Sequence, residues 1–188
     1  NKLDLMFPQE ISTKYDFAVE LSRLLLGEGI GLFAAFVTLL NFKRSGLLIG
    51  VNDINQWSLL DENEHVNGNI QVLSKVRLDL TDEENHTLDE EIRRLIDSYV
   101  VAELKFIELV YSMGEPHGLK RDDLEGYIRY LGDLRANQLG ILGDWAVREN
   151  PLPWVTFMLS GKNHDNFFEK RVTDYSHAGL AGTIDYSK

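Results

Sequence analysis

Apolar residues recur at steps of three and four through most of this chain, and that spacing predicts helices. The strongest run extends from about Lys14 to Phe42, with Phe17, Leu21, Leu24, Leu25, Glu28, Leu32, Ala35, Phe36 and Leu39 on one stripe. From Leu24 onward it is apolar nearly all round, the pattern of a helix at the centre of a bundle. Ser45-Gly46 and Gly50 interrupt it. A second helix is then predicted from about Val51 to Val76, on a stripe of Val51, Ile54, Ser58, Asp61, Glu62, His65, Asn69 and Val72 whose polar members are unusual for an inward face. Thr87-Leu88-Asp89-Glu90 reads as the capping box of a third helix, carrying Leu88, Ile92, Leu95, Ile96, Tyr99, Val100, Glu103, Ile107 and Val110. Gly114-Glu115-Pro116-His117-Gly118 ends it. A fourth helix is predicted from Asp122 to about Leu139, with Leu124, Ile128, Leu131, Leu134 and Leu139 inward, before Gly140 and Gly143 stop it. Beyond Asn150-Pro151-Leu152-Pro153 the helical period fades into an aromatic-rich stretch. The expectation is an all-α bundle over residues 1–145 and an irregular segment over 146–188.

Composition narrows what such a bundle can do. The 188 residues hold 19 Lys and Arg against 30 Asp and Glu, a net charge of −11, so no basic surface for nucleic acid is expected. The absence of cysteine removes disulfides, thiolate catalysis and zinc–thiolate sites, and accords with a reducing compartment. Leu24–Leu40 is short for a membrane span and carries Glu28, whose ionised carboxylate would be costly in lipid. A cytoplasmic protein without a membrane partner is therefore expected. Any metal would have to be held by carboxylates and histidine.

Such a set exists. Glu62 and His65 are three residues apart on a helix, so their side chains point the same way. Glu28 sits inside the most apolar run of the chain, where an uncompensated carboxylate costs several kcal/mol. If the first two helices form an antiparallel pair about Ser45, Glu28 and Glu62 are equidistant from the turn and lie at one level with His65. Two carboxylates and an imidazole suit iron or manganese. The alternative is a partnered core glutamate beside an ordinary histidine, and Glu103, also on an apolar stripe, could simply pair with a neighbouring Arg or Lys. A dimetal bundle site needs two Glu-x-x-His motifs facing one centre, and this chain sets a single one, Glu62 to His65, level with Glu28. Either one metal binds, or another chain completes the site.

Leu60-Asp61-Glu62-Asn63-Glu64-His65 resembles the Asp-Glu-x-x-His block of the small, radical-generating subunit of class I ribonucleotide reductase, and Glu28 stands at that family's spacing for the preceding ligand. Ala102-Glu103-Leu104 with Phe106-Ile107, Arg135-Ala136-Asn137-Gln138-Leu139-Gly140, Asn150-Pro151-Leu152-Pro153-Trp154 and the run Asn166 to Tyr175 are similar to further family blocks, in family order. The resemblance covers nearly the whole chain and implies the C-terminal half of a ferritin-like helical bundle. The family's first metal-binding Asp, first Glu-x-x-His and radical tyrosine have no counterpart here. This implies one fragment of a split subunit, a partial bundle completed by a complementary N-terminal fragment.

By the same resemblance Glu28, Glu62 and His65 would hold the second metal, with Glu62 bridging to the first. Asp61 would couple the metal to the electron path, and Tyr175 would relay the radical to the large subunit. The implied cofactor is a dinuclear centre of two irons, with two manganese ions or a mixed pair as alternatives. The implied partners are the complementary fragment, the large subunit, and a second copy of the assembled small subunit. The chain stops at Lys188 without the family's acidic stretch and terminal hydrophobic anchor. Two other readings are a ferritin-like dimetal oxidase or oxygenase completed by homodimerisation, and a non-catalytic module that binds the large subunit. A half bundle would leave Leu32, Phe36, Ile54 and Trp57 on an open seam.

Overall fold

The computed structural model describes residues 10–159, and among these all regular structure is helical. Six helices follow in order: α1 (Lys14–Gly29), α2 (Phe33–Arg44), α3 (Ile49–Arg77), α4 (Asp82–Ser112), α5 (Arg121–Gln138) and α6 (Pro153–Leu159). Helix α1 begins where a start signal is strongest. The Thr13 hydroxyl accepts from the Asp16 N–H at 3.0 Å, and the Asp16 carboxylate accepts from the Thr13 N–H at 2.9 Å, which satisfies amides that have no partner within the helix.

The single helix expected over Lys14 to Phe42 is two. The chain leaves helical geometry at Ile30 and resumes it at Phe33. Gly27, Gly29 and Gly31 surround the break, and Gly31 is there because the backbone passes Tyr99 closely: a Cβ on it would lie 2.9 Å from the Gly27 carbonyl and 3.0 Å from the Tyr99 ring. Leu32 offers no side-chain cap to α2. The cap comes instead from α4, where the fully buried Glu103 accepts from the Ala34 N–H at 2.7 Å. Glu103 thus meets a helix N-terminus, a partner that its place on an apolar stripe did not announce.

A tight turn over residues 45–48 sends α3 back along α1 and α2. The ion pair of Lys14 with Asp79 at 2.7 Å joins the start of α1 to the chain just past α3, as an antiparallel arrangement requires. Helix α4 starts earlier than expected. Its capping box is Thr81-Asp82-Glu83-Glu84, with the Thr81 N–H donating to the Glu84 carboxylate at 2.8 Å. Thr87, the expected cap, lies inside the helix and donates its hydroxyl to the Glu83 carbonyl. Three acidic residues in the first turn after Thr81 suit the positive end of the helix dipole, so the earlier of two similar signals wins.

Helix α1 packs between α3 and α4, and α5 covers α4. The core between them holds Leu25, Leu26, Leu59, Val66, Ile92, Tyr99 and Ile128. Tyr99 donates its hydroxyl to the Arg23 carbonyl at 3.0 Å, joining α4 to α1. The stretch expected to be irregular after residue 150 contains α6. It seats Val155 in the core, and the Gln56 amide donates to the Met158 carbonyl at 2.6 Å. Pro153 opens α6 because its missing N–H is no loss in the first turn of a helix. The apolar span 14–44 is long enough by composition to cross a membrane, but 61% of its most apolar window is buried within this bundle, as befits a core helix.

Candidate metal centre

The last turn of α1 and the middle of α3 bring Glu28, Glu62 and His65 together. One donor atom from each lies within 4.8 Å of the others. The His65 Nδ1 is 3.4 Å from a Glu62 carboxylate oxygen and 3.8 Å from one of Glu28. Both carboxylates are largely enclosed, whereas the imidazole is 58% exposed. Glu28 and Glu62 meet at one level, as predicted from the turn at Ser45, even though the break between α1 and α2 falls within the counted stretch.

Electrostatics favour a cation at this place. Burial pushes the Glu28 carboxyl above the usual carboxylate range, the Glu62 carboxylate pushes it further, and His65 pulls the other way. No Lys or Arg among the described residues forms an ion pair with Glu28 or Glu62. A divalent ion would offset both the desolvation and the mutual repulsion, and the donor set of two carboxylates with one imidazole fits iron or manganese. Asn69, one turn beyond His65, donates to the second Glu28 oxygen at 3.4 Å.

The site lies on an open face. On α1, Phe17 and Leu24 precede Glu28 on its stripe and are 40% and 47% exposed. On α3, Ile54, Asp61 and Val72 share the exposed stripe of His65. Asp61 is exposed beside Glu62. Of the expected seam, Ile54 is exposed, while Leu32, Phe36 and Trp57 are half-buried. Tyr175 and the run Asn166 to Tyr175 lie outside the described residues.

Two neighbours of the site carried no role in the sequence reading. Arg135, quoted only as part of a motif, continues the inward stripe Leu124, Ile128, Leu131 on α5 and reaches Asn63, next to Glu62, and the carbonyl of Gly29, next to Glu28. Its place on an apolar stripe was the available signal. Asn69 had one too, as a polar member of the α3 stripe.

The family pattern described as "Ribonucleotide reductase, small chain" matches residues 2–151. The chain belongs to the ribonucleotide reductase small-chain family. The probable ribonucleoside-diphosphate reductase small subunit of Invertebrate iridescent virus 3 is 39% identical over 159 residues, a match that covers 82% of this chain and 42% of that protein. The subunit beta of Chlamydia pneumoniae is 31% identical over 152 residues, covering 81% of this chain and 43% of that one. This small chain therefore spans less than half the length of both relatives. In fold it is similar to a putative class I ribonucleotide reductase from Bacillus halodurans, with a TM-score of 0.72 at 18% identity over 78% of this chain and 52% of that one. The R2 subunit from Clostridium botulinum gives 0.69 at 22% identity over 77% and 45%. The all-helical bundle read from the hydrophobic pattern and the ferritin-like architecture implied by the resemblance are both borne out.

Proposed function

We propose that this chain forms one side of the dinuclear metal centre of a ribonucleotide reductase small subunit, with Glu28, Glu62 and His65 holding one ion and a complementary polypeptide supplying the remaining ligands. The observation that carries this reading is the convergence of three donors on a face bordered by exposed Phe17, Leu24, Ile54 and Val72. A face that is both charged and apolar calls for a cation and for further helices to cover it. When bound, the metal pair, two irons or manganese in their place, would supply oxygen activation and an oxidising equivalent to be passed on.

The protein's own residues prepare that setting. Glu28 and Glu62 offer hard oxygen donors from adjacent helices, and Asn69 orients the second Glu28 oxygen. Leu25, Leu59 and Val66, all fully buried, exclude water from behind the ligands. In this reading Asp61 faces the complementary half and hydrogen-bonds a ligand there, and Tyr175 passes the radical to the large subunit, where ribonucleotides are reduced. The assembled small subunit would act as a dimer.

The test is metal stoichiometry of the full chain, alone and co-expressed with the N-terminal part of a small subunit. Two metals per assembled unit, abolished by Glu62→Ala without loss of helical circular dichroism, is the expected result. Two metals in a homodimer lacking any partner would favour a self-completed oxidase. No metal even with the partner present would favour a non-catalytic module that binds the large subunit.

A further inference from the structure

Among the described residues, Arg135 is a buried cation with no carboxylate hydrogen-bonded to it. It is only 4% exposed, and burial lowers its pKa to about 10. Its hydrogen-bond acceptors are all neutral: Nε donates to the Gly29 carbonyl at 3.2 Å, Nη1 to the Gln138 amide oxygen at 2.8 Å, and Nη2 to the Asn63 amide oxygen at 3.3 Å. An apolar side chain of similar volume would fill this space without the desolvation of a charge. What distinguishes the arginine is the pair of elements it joins.

Gly29 follows Glu28 and closes α1, so the break before α2 leaves its carbonyl without the amide four residues on that would ordinarily take it. Asn63 follows Glu62 on α3, and its amide donates to the Leu59 carbonyl at 3.1 Å, which turns its oxygen toward Arg135. Position 29 is kept small for the same contact: a Cβ there would stand 2.8 Å from the Arg135 Nε. One rigid guanidinium on α5 therefore bridges Gly29 and Asn63, the residues that immediately follow Glu28 and Glu62, with each of its three nitrogens engaged.

We propose that Arg135 is a positioning residue for the metal centre, a fork that locks the end of α1 to the middle of α3 and so sets the separation of Glu28 from Glu62. This rests on the reading of Glu28, Glu62 and His65 as ligands. The groups that shift Glu28 are burial, Glu62 and His65. Arg135 therefore acts through backbone position, as outer-shell partners of metal ligands do.

The test uses cobalt(II) as the probe, titrated into the full chain and followed by visible absorption, with circular dichroism as the control for folding. Arg135→Met is expected to weaken cobalt binding by roughly 10- to 100-fold and to shift its absorption bands, with helicity kept. Arg135→Lys is expected not to restore either, since one ammonium cannot bridge three acceptors in the fork geometry. Asn63→Ala, which removes one acceptor from a half-buried position, is expected to shift the bands in the same direction and decides the matter if Arg135→Met does not fold. Wild-type affinity and bands in folded Arg135→Met and Asn63→Ala would overturn the fork, as would full rescue by Arg135→Lys, which would assign the effect to charge. If the wild-type chain, assembled with the N-terminal part of a small subunit, still takes up no more cobalt than Glu62→Ala, the metal reading itself fails and the fork with it. Cobalt lost in Glu62→Ala but unchanged in Arg135→Met overturns the fork alone.

Discussion

Single residues decide two features of this protein, where helices start and where the acidic cluster forms. Glu84 illustrates the first. The Thr81 N–H and hydroxyl both donate to its carboxylate, which holds its pKa below the usual carboxylate range. A carboxyl with a lowered folded-state pKa contributes stability above its unfolded pKa and loses it as the pH falls through the folded value. Glu84→Gln is therefore expected to flatten the acid limb of the stability curve below about pH 4.3, measured by urea unfolding across pH. Removing the cap itself with Thr81→Ala should cost about 1 kcal/mol at neutral pH, read from the same transitions. The clustering of Glu28, Glu62 and His65 was legible in the sequence because a carboxylate in an apolar run and a Glu-x-x-His at matching distance from a turn are both unusual. Arg135 was present on an apolar stripe and carried no interpretation there, since its acceptors come from two other helices and include a main-chain carbonyl that no residue pattern announces.

Among the elements, helix existence was readable and helix limits less so. The 3.6-residue period merges α1 and α2 because the apolar stripe continues across the break, and only the glycines at 27, 29 and 31 hint that the backbone must do something there. The close passage of Tyr99 explains the break, and that contact belongs to tertiary structure. Gly31→Ala should accordingly destabilise the fold by about 1 to 3 kcal/mol through overpacking, visible as a lowered Tm, whereas Gly68→Ala, at an exposed helical position with open space around it, should be neutral or stabilising. The start of α4 was misplaced because two Thr-x-x-Glu sequences lie six residues apart, and the spacing of apolar residues does not choose between them. Helix α6 was missed because seven residues are too few to display a period. It forms because Val155 finds the core and the Met158 carbonyl finds Gln56.

At the scale of the whole molecule the exposed apolar face of α1 and α3 is expected to govern association. Phe17, Leu24, Ile54 and Val72 present apolar area on either side of an acidic cluster. Contiguous exposed patches of this kind drive association. The isolated chain is expected to self-associate in light scattering, and Leu24→Gln combined with Ile54→Gln should shift it toward the monomer while leaving the core intact. The open side was foreseeable from a candidate ligand set that makes up only half of a dimetal site, but which side chains line it was not: Phe36 turns partly inward to meet Phe33 edge-on. The carboxylate that caps α2 has a temporal implication as well. Glu103 and the amide of Ala34 are 69 positions apart in the chain, so the start of α2 is secured only after a long loop has closed and α4 has docked. In hydrogen exchange, protection at Ala34 should accordingly rise and fall with α4 and not with the rest of α2, making that one amide a clock for the late assembly of the bundle.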